Sequence, residues 1–295
     1  MNLVESSITE LVEISLREDL GGNISLESDI TTQWTVEDDA PARARILARD
    51  CGIVAGVDVA SAVFSRVDPT LSVERRAEDG DRVQPDDTVV EISGSAAAIL
   101  TGERTALNFL QQLSGVATLT RAFVDRIAGT GAQITDTRKT IPGLRELQKH
   151  AVRCGGGISH RMGLHDAVLI KENHVMAAGT VVEAVRRVRL GAQGAGRPDT
   201  RIMCEAEDLE QVQALVAGGP RLAPDRILLD NMSPELMRQC VLVVRQAAPE
   251  VELEATGNID QSTIRAAAET GVHVISIGAL THSAPALDLS LLFSR

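Results

Sequence analysis

The feature that most constrains the fold is a regular alternation in the second half of the chain. From residue 132 onward, short apolar runs alternate with stretches of helical pattern. The runs begin 22 to 35 positions apart, and they occupy residues 132–135, 167–170, 201–204, 226–229, 251–253 and 273–277. This is the spacing of strand–helix units in a parallel sheet. Six such units predict an incomplete parallel α/β barrel.

The first 115 residues have a different pattern. A helical periodicity from Ile8 to Leu16 is followed by strand-like runs at residues 44–48, 53–55 and 89–92, with turn signals between them. A long helix over residues 98–113 then leads out, and Ser114-Gly115 is expected to act as a hinge. The pattern predicts a small mixed α+β domain before the barrel.

Polar residues follow nearly every predicted strand of the barrel. The carboxyl ends of barrel strands meet at one face, where the active sites of barrel enzymes lie. Surface loops are also polar, but ordinary surface loops need not have acidic and basic residues after every strand in succession. The sequence therefore predicts one charged site, to which the strands contribute residues 136–139, residues 171–174, Glu205, Asp230 with Asn231, residues 254–258 and residues 276–279.

Five basic residues in this part of the chain would repel one another without an anionic ligand. They are Arg138, Lys139, His160, Arg161 and Lys171. The chain has only three lysines, at positions 139, 149 and 171. Arginine forks suit carboxylates, and compact lysine charges suit phosphates. Three glycines at 155–157 would allow the backbone to wrap an anion, although a flexible connector is the alternative.

Two acids and a later loop complete the predicted site. The carboxylates of Glu205 and Asp230 would repel a phosphate group in the site. With Mg²⁺ between them and a pyrophosphate, the interaction becomes attractive. The loops after the last barrel strands commonly hold a terminal phosphate, which points to Thr256-Gly257-Asn258 and Gly278. The set fits a sugar with phosphate at one end and pyrophosphate at the other, together with an acidic co-substrate.

Composition excludes several other classes of protein. A net charge of -12 and five aromatic residues argue against a nucleic-acid partner. No run is long enough to span a membrane, and the basic-free start predicts no signal peptide, so a cytoplasmic location is expected. The four cysteines form no C-x-x-C and are expected to be reduced and mostly buried. The sequence contains no H-x-x-x-H motif, so it does not predict a zinc site on a helix. His150 and His273 are expected to be structural.

Several motifs resemble those of the quinolinate phosphoribosyltransferase family. The most specific is Asp136-Thr137-Arg138-Lys139-Thr140-Ile141-Pro142-Gly143-Leu144-Arg145. The resemblance extends over nearly the whole chain, through residues 103–108, 113–118, 155–157, 160–164, 169–174, 228–231 and 278–283. It implies a sandwich domain over residues 1–115, joined by 280–295, and an open α/β barrel over 116–279.

The resemblance also implies a reaction and a role for each matched residue. Phosphoribosyl pyrophosphate and quinolinate would give nicotinate mononucleotide, pyrophosphate and CO₂, with Mg²⁺ as cofactor. The enzyme would be a homodimer in which Arg104 reaches the partner's site. Quinolinate would meet Arg138, His160, Arg161 and Lys171; the pyrophosphate would meet Lys139 and Lys171; Mg²⁺ and the ribose would meet Glu205 and Asp230; and the 5′-phosphate would meet Thr256, Gly257, Gly278 and His282.

The sequence departs from the family pattern at a few positions. Ser159 stands where Asn is usual, Asn258 where a second Gly is common, and Asp86-Asp87 where a Gly is often found. Asn tolerates positive φ, which would preserve the 256–258 loop. Two other readings remain open: a related transferase-like protein associated with molybdenum transport, acting on another acceptor, and a non-catalytic sensor of a phosphate ligand.

Overall fold

The computed structural model describes residues 5–37, 40–219 and 222–294, with side chains from residue 8 onward. The chain forms two compact units. The sandwich unit contains the described residues of Met1–Arg121, Thr140–Gly156 and Leu280–Arg295, and the barrel unit those of Ala122–Lys139 and Gly157–Ala279. No helix in the described part of the chain is long and apolar enough to cross a membrane.

The sandwich unit is built on antiparallel strands. They are β1 (Pro41–Ala48), β2 (Gly52–Ile53), β3 (Ser72–Arg75), β4 (Arg82–Val83), β5 (Thr88–Ser95) and β12 (Leu289–Phe293). Four of them pair in the order β12-β1-β5-β3, and β2 pairs with β4. The register of β1 against β5 shifts between Ile46 and Leu47, and this bulge allows both neighbouring side chains to be buried.

The sandwich unit also contains all or most of several helices. They are α1 (Glu5–Asp19), α2 (Ile30–Thr35), α3 (Val57–Val67), α4 (Ala96–Arg126), α5 (Arg145–Cys154) and α11 (Ala279–His282). Apolar residues at helical spacing on α3, such as Val59, Val63 and Phe64, are fully buried, because they form the face turned to the core.

The expected hinge at Ser114-Gly115 is wrong. Helix α4 runs unbroken through both residues to Arg126. The Ser114 hydroxyl accepts the backbone N–H of Ala55 at 3.0 Å. A Cβ on Gly115 would lie 2.1 Å from the carbonyl oxygen of Pro285. The small residues therefore allow close packing of the chain against α4, and they do not mark a break in the helix.

The barrel unit consists of parallel strands that alternate with helices. The strands are β6 (Gln133–Thr135), β7 (Val168–Ile170), β8 (Ile202–Ala206), β9 (Arg226–Asp230), β10 (Glu252–Thr256) and β11 (Val274–Ser276). Between them lie α6 (Glu172–Ala178), α7 (Val181–Gly194), α8 (Leu209–Val216), α9 (Pro234–Ala247) and α10 (Ile264–Ala268). Every predicted strand is present, with boundaries that differ by at most a few residues.

The sheet of the barrel unit has the order β6-β11-β10-β9-β8-β7. Thr135 of β6 also forms a parallel bridge with Ile158. Among the described residues β7 pairs with β8 alone, so the barrel is open beside β7. The predicted fold class, an α/β sandwich domain followed by an open α/β barrel, is confirmed.

Local sequence signals explain where the barrel helices begin. Ser233 accepts the N–H of Leu236 as N-cap of α9, and Pro234 lies in the first turn, where its fixed φ and missing N–H are tolerated. The N-cap residue of α10 is Thr263, whose side chain makes no capping hydrogen bond. The Asp260 carboxylate accepts the N–H groups of Ser262 and Thr263, and it thereby closes the turn before the helix.

Candidate active site

A cleft of about 550 Å³ lies at the carboxyl ends of the barrel strands. Its volume is within the usual range for small-molecule sites. The lining side chains include all five basic residues predicted from the sequence, which are Arg138, Lys139, His160, Arg161 and Lys171. A hollow of about 240 Å³ in the sandwich unit has Glu18 and Asp19 in its wall and no basic side chain. An anionic ligand therefore favours the barrel cleft.

Strand register places the polar side chains of the cleft on one face of the sheet. Glu205 of β8 pairs with Leu228 of β9, and Leu228 pairs with Glu254 of β10. One step further along, Asp230 pairs with Thr256. Side chains two residues apart on a strand share a face, so both rows point to the same side. All five of these residues line the cleft.

Two arginines in the cleft have donors without partners. The Nε atoms of Arg138 and Arg161 are buried, and neither donates a hydrogen bond. Burial and the nearby charge of Arg138 lower the pKa of Arg161, although Asp166 and Glu205 act in the opposite direction. Two guanidinium groups that repel each other and keep unused donors form a site that an anion with more than one carboxylate would stabilise.

His160 is held between the two sides of the cleft by its backbone and its ring. Its backbone N–H donates to Asp136 Oδ1 at 2.9 Å, and its Nδ1 accepts the N–H of Arg161 at 2.8 Å. Because Nδ1 is an acceptor, the ring proton of the neutral form lies on Nε2. This atom is 3.6 Å from Oε2 of Glu254.

Glu254 is the acid that supports this arrangement; the sequence predicted it only as one of the polar residues at a strand end and indicated no function for it. Its side chain is 0 % exposed, and Arg226 Nη1 donates to it at 2.6 Å. Burial would raise the pKa of Glu254, but its interactions with His160 and Arg226 outweigh burial and lower it. A buried ionised carboxylate therefore faces the His160 ring. The available signal was Arg226, a charge placed directly before three apolar strand residues.

Two of the three lysines reach the cleft. Lys171 is the N-cap residue of α6, and its Nζ forms an ion pair with Glu205 Oε1 while half of its side chain stays exposed. Lys139 also lines the cleft, and its backbone N–H donates to Thr137 Oγ1 at 3.0 Å. Lys149 is fully buried in the sandwich unit. The lysine cluster in the sequence therefore contains two cleft residues and one core residue.

Acidic side chains meet beside the lysines. Glu205 and Asp230 line both the cleft and an adjoining hollow of about 170 Å³, whose wall also includes Glu172 and Glu207. Burial raises the pKa of Glu207, and the charges of Glu172, Asp230 and Glu205 raise it further. The carboxylates thus destabilise one another's charge. Such a set fits a hard divalent cation, which takes carboxylate oxygens and retains water.

The loop after β10 packs closely on the loop after β9. Gly257 has φ 89°, and a Cβ there would lie 2.3 Å from Asn231 Oδ1 and 2.9 Å from the Asn231 backbone nitrogen. Asn258 has φ 49°, so the expectation that Asn tolerates this conformation is confirmed. Its Nδ2 donates to Asn231 Oδ1 at 3.0 Å. Only glycine fits at position 257, because both the backbone conformation and the contact exclude a side chain.

Comparison with known proteins gives the family. The family model for the quinolinate phosphoribosyl transferase C-terminal domain matches residues 116–292. The model for the N-terminal domain of the same family matches residues 29–114. The chain belongs to the quinolinate phosphoribosyltransferase family. The resemblance in the sequence motifs is thereby confirmed, and so is the prediction that the chain is a transferase of this family.

Individual relatives agree over nearly the full length. The chain is 43% identical over 285 residues to the nicotinate-nucleotide pyrophosphorylase [carboxylating] of Mycobacterium leprae, covering 96% of this chain and 95% of that protein. It is 41% identical to the chloroplastic enzyme of the same name from Arabidopsis thaliana, with 95% and 81% covered. The solved nicotinate-nucleotide pyrophosphorylase of Francisella tularensis superposes with a TM-score of 0.90 at 38% identity, covering 99% and 98% of the two chains.

Three residues predicted for the site lie outside the cleft lining. Gly278 follows β11, at the same sheet edge as Thr256 and Gly257. Arg104 is exposed on α4, and His282 ends α11, where its ring lies 2.6 Å from Ser283 Oγ. The last two belong to the sandwich unit. Their predicted roles in this family stay predictions.

The glycine run at 155–157 serves close packing at its first position. Gly155 is the C-cap of α5, and a Cβ there would lie 2.4 Å from the carbonyl oxygen of Ala117. Gly156 turns the chain with φ 92°. Close packing and positive φ therefore explain these two glycines, and anion binding by the backbone at 155–157 is not needed for that.

Proposed function

We propose that this chain transfers the phosphoribosyl group of phosphoribosyl pyrophosphate to the ring nitrogen of quinolinate, and that pyrophosphate and CO₂ leave. The product is nicotinate mononucleotide, a precursor in NAD biosynthesis. The observation that carries this proposal is the pair Arg138 and Arg161, whose buried Nε donors have no partner in a cleft that also contains two lysines. The names of the relatives across this family support the same reaction.

The quinolinate carboxylates would occupy the space between the two arginines. Arg138 and Arg161 would donate to them, and the repulsion that lowers the pKa of Arg161 would then be relieved. His160 lies beside them, with its ring fixed by Arg161 and faced by Glu254. These groups would hold the pyridine ring of quinolinate in one orientation and its nitrogen in one position. Such positioning makes a bimolecular reaction effectively unimolecular.

The phosphoribosyl pyrophosphate would lie across the carboxyl ends of the barrel strands, from β6 to β11. Lys139 and Lys171 would meet its pyrophosphate, and Thr256, Gly257 and Gly278 would hold its 5′-phosphate. Glu205 and Asp230 would hold Mg²⁺, which neutralises charge on a departing pyrophosphate. Lys171 would leave its ion pair with Glu205 when the pyrophosphate and the cation arrive, since each then has an opposite charge as its partner.

The chemistry needs no protein nucleophile. Departure of pyrophosphate leaves positive charge at the anomeric carbon, and the pyridine nitrogen forms the new bond to that carbon. The ring then carries a positive nitrogen, which stabilises the electron pair left on the adjacent carbon when CO₂ departs. A proton from water replaces the carboxylate. The protein contributes position and charge, above all the Lys171 ammonium beside the leaving pyrophosphate.

The decisive assay follows CO₂ and pyrophosphate together from quinolinate, phosphoribosyl pyrophosphate and Mg²⁺. We expect one of each per nicotinate mononucleotide formed. Arg161→Lys keeps the charge but loses the planar fork, so kcat/KM for quinolinate should fall about 10- to 100-fold, as for a lost charge-assisted hydrogen bond. Binding of phosphoribosyl pyrophosphate without product formation would favour the hypothesis of a non-catalytic sensor of a phosphate ligand. Pyrophosphate release with another acceptor, and none with quinolinate, would favour the related transferase-like protein.

We further propose a homodimer in which Arg104 of one chain serves the site of its partner. Support comes from the family resemblance and from the exposed position of Arg104 on α4. Arg104→Ala and Lys139→Ala homodimers should each be nearly inactive. In mixed dimers one site would carry both defects and the other none, so random reassociation should restore about a quarter of wild-type activity.

Native mass spectrometry must show that the mixed dimers have formed. If they form and no activity returns, each chain builds its own site and the shared-site proposal is wrong. The cytoplasmic location and the lack of a nucleic-acid partner stay predictions from the sequence.

A further inference from the structure

Three side chains of the sandwich unit, none of them among the residues proposed for the reaction, meet at one point. Oδ2 of Asp79 lies 2.6 Å from Nε2 of His150. Sγ of Cys154 lies 3.4 Å from the same nitrogen. All three ligand-type atoms lie within 4.8 Å of one another. A carboxylate, an imidazole and a thiol therefore converge on one point.

The fold holds each of these groups from a defined element. His150 and Cys154 are four residues apart on α5, so they share one face of the helix. Asp79 lies in the turn between β3 and β4. Its Oδ1 accepts the N–H groups of Gly56 at 2.8 Å and Val57 at 3.0 Å, which leaves Oδ2 directed at the histidine. Metal-binding carboxylates are typically fixed in this way by hydrogen bonds to the other oxygen.

Hydrogen bonding within the cluster accounts for only part of this convergence. A ring nitrogen carries at most one proton, and the 2.6 Å contact assigns the proton of His150 Nε2 to Asp79. The sulfur of Cys154 lies 3.4 Å from the same nitrogen, so it can take only a weaker share of that one proton. A cation at the centre of the three atoms would bind all of them at once.

We propose that Asp79, His150 and Cys154 bind a zinc ion. Zn²⁺ takes bonds of about 2.0 to 2.3 Å to oxygen, nitrogen and sulfur, so neighbouring ligand atoms in a tetrahedral site lie roughly 3.3 to 3.6 Å apart. The His150–Cys154 separation already has this value, and the Asp79–His150 separation needs to widen by about 0.7 Å. A thiolate and an imidazole favour zinc over Mg²⁺, which prefers oxygen ligands.

The site is accessible and balanced in charge. The side chains of His150 and Asp79 are 22% and 18% exposed, so an ion can enter from solvent. A carboxylate, a thiolate and a neutral imidazole together neutralise Zn²⁺, and water would complete the coordination. The ion would tie the last turn of α5 to the turn that carries Asp79. This inference does not depend on the proposed transferase reaction.

The test uses the full-length wild-type protein after removal of metals by a chelator. Co²⁺, a spectroscopic substitute for Zn²⁺, should bind at one equivalent per chain and give sulfur-to-cobalt charge-transfer absorption, and Zn²⁺ should abolish that absorption. Zn²⁺ at one equivalent should also raise Tm, because it binds only the folded chain. Absence of the sulfur band from the wild-type protein would overturn the proposal without recourse to any variant.

Matched variants locate the site. Cys154→Ser should lose the sulfur band, and both Cys154→Ser and His150→Gln should bind Zn²⁺ at least about tenfold more weakly. Cys51→Ser, which changes an exposed free thiol elsewhere, should bind like wild type. Glu205→Ala should also keep the sulfur band, since any metal at the cleft acids lacks a thiolate. A band lost in Cys51→Ser and retained in Cys154→Ser would place the metal elsewhere and overturn the assignment.

Discussion

Two glutamates on β10 contact the same arginine at nearly the same distance but differ in burial. Nη1 of Arg226 lies 2.6 Å from Oε2 of Glu254, and Nη2 of Arg226 lies 2.7 Å from Oε2 of Glu252. Glu254 is 0 % exposed and Glu252 is 41% exposed. Removing one partner of a buried ion pair costs about 3–5 kcal/mol, because the other charge is left uncompensated. An exposed pair contributes about 1 kcal/mol or less.

The perturbation is Glu254→Gln, with Glu252→Gln as its matched control. Arg226 keeps Glu252 as a partner in the first variant. The free energy of unfolding should therefore fall by about 3 kcal/mol, the lower end of the cost of breaking a buried ion pair. The control should lose about 1 kcal/mol or less, since Glu252 is exposed and Arg226 keeps Glu254. The predicted difference between the variants is therefore about 2 kcal/mol, although the two contacts have similar lengths.

The assay is urea unfolding followed by far-UV circular dichroism. The single tryptophan, Trp34, lies in the sandwich unit, so its fluorescence would not report on the barrel unit. With a slope of about 2–3 kcal/mol/M, the Glu254→Gln midpoint should fall by roughly 1–1.5 M urea. Equal losses in the two variants would refute the reasoning, because burial would then not determine the contribution of the pair.

The same pair predicts a pH dependence. Burial opposes the ionised form of Glu254, but His160 and Arg226 lower its pKa below the ordinary value of 4.5 on balance. A lowered folded-state pKa gives stability that is present above the unfolded-state pKa and is lost as the pH falls through the folded-state value. The difference in free energy of unfolding between wild type and Glu254→Gln should narrow as the pH falls below about 4.5. A difference that grows on acidification would contradict this sign.

Three further predictions concern the cleft. Lys171→Ala should lower kcat by at least about 10²-fold, the scale of a lost electrostatic contact; an unchanged kcat with a raised KM would reject a catalytic role. Glu205→Ala and Asp230→Ala should weaken Mg²⁺-dependent binding of phosphoribosyl pyrophosphate in calorimetry more than quinolinate binding, and the reverse order would show that the division of the site is wrong. Gly257→Ala should raise KM for phosphoribosyl pyrophosphate and destabilise the fold by about 1–3 kcal/mol, through positive φ and contact with Asn231; wild-type values for both would contradict this.

The sequence predicted the barrel well, because its signals are local. Buried parallel strands appear as short apolar runs, and their carboxyl ends are marked by polar residues such as Glu205 and Asp230. Those runs coincide with the six strands β6 to β11. The charged cleft followed from the same rule, since strand ends in a parallel barrel necessarily meet.

The features that were missed depend on contacts between distant residues. Gly115 was interpreted as a hinge because glycine weakens helices, yet its reason is the approach of Pro285, 170 positions further along the chain. Glu254 was predicted only as a polar residue at a strand end, because its partners Arg226 and His160 lie on other elements. The cluster around His150 was missed because Asp79 is 71 residues away and no spacing rule joins them.

The most direct test of the central claim follows the fate of one carboxylate. Quinolinate labelled with ¹³C in the carboxylate next to the ring nitrogen is incubated with phosphoribosyl pyrophosphate, Mg²⁺ and the wild-type enzyme, and the products are analysed by mass spectrometry. The account predicts that all of the label leaves as CO₂, with one pyrophosphate per event, and that unlabelled nicotinate mononucleotide is formed. Label retained in the nucleotide, or pyrophosphate released without CO₂, would contradict it.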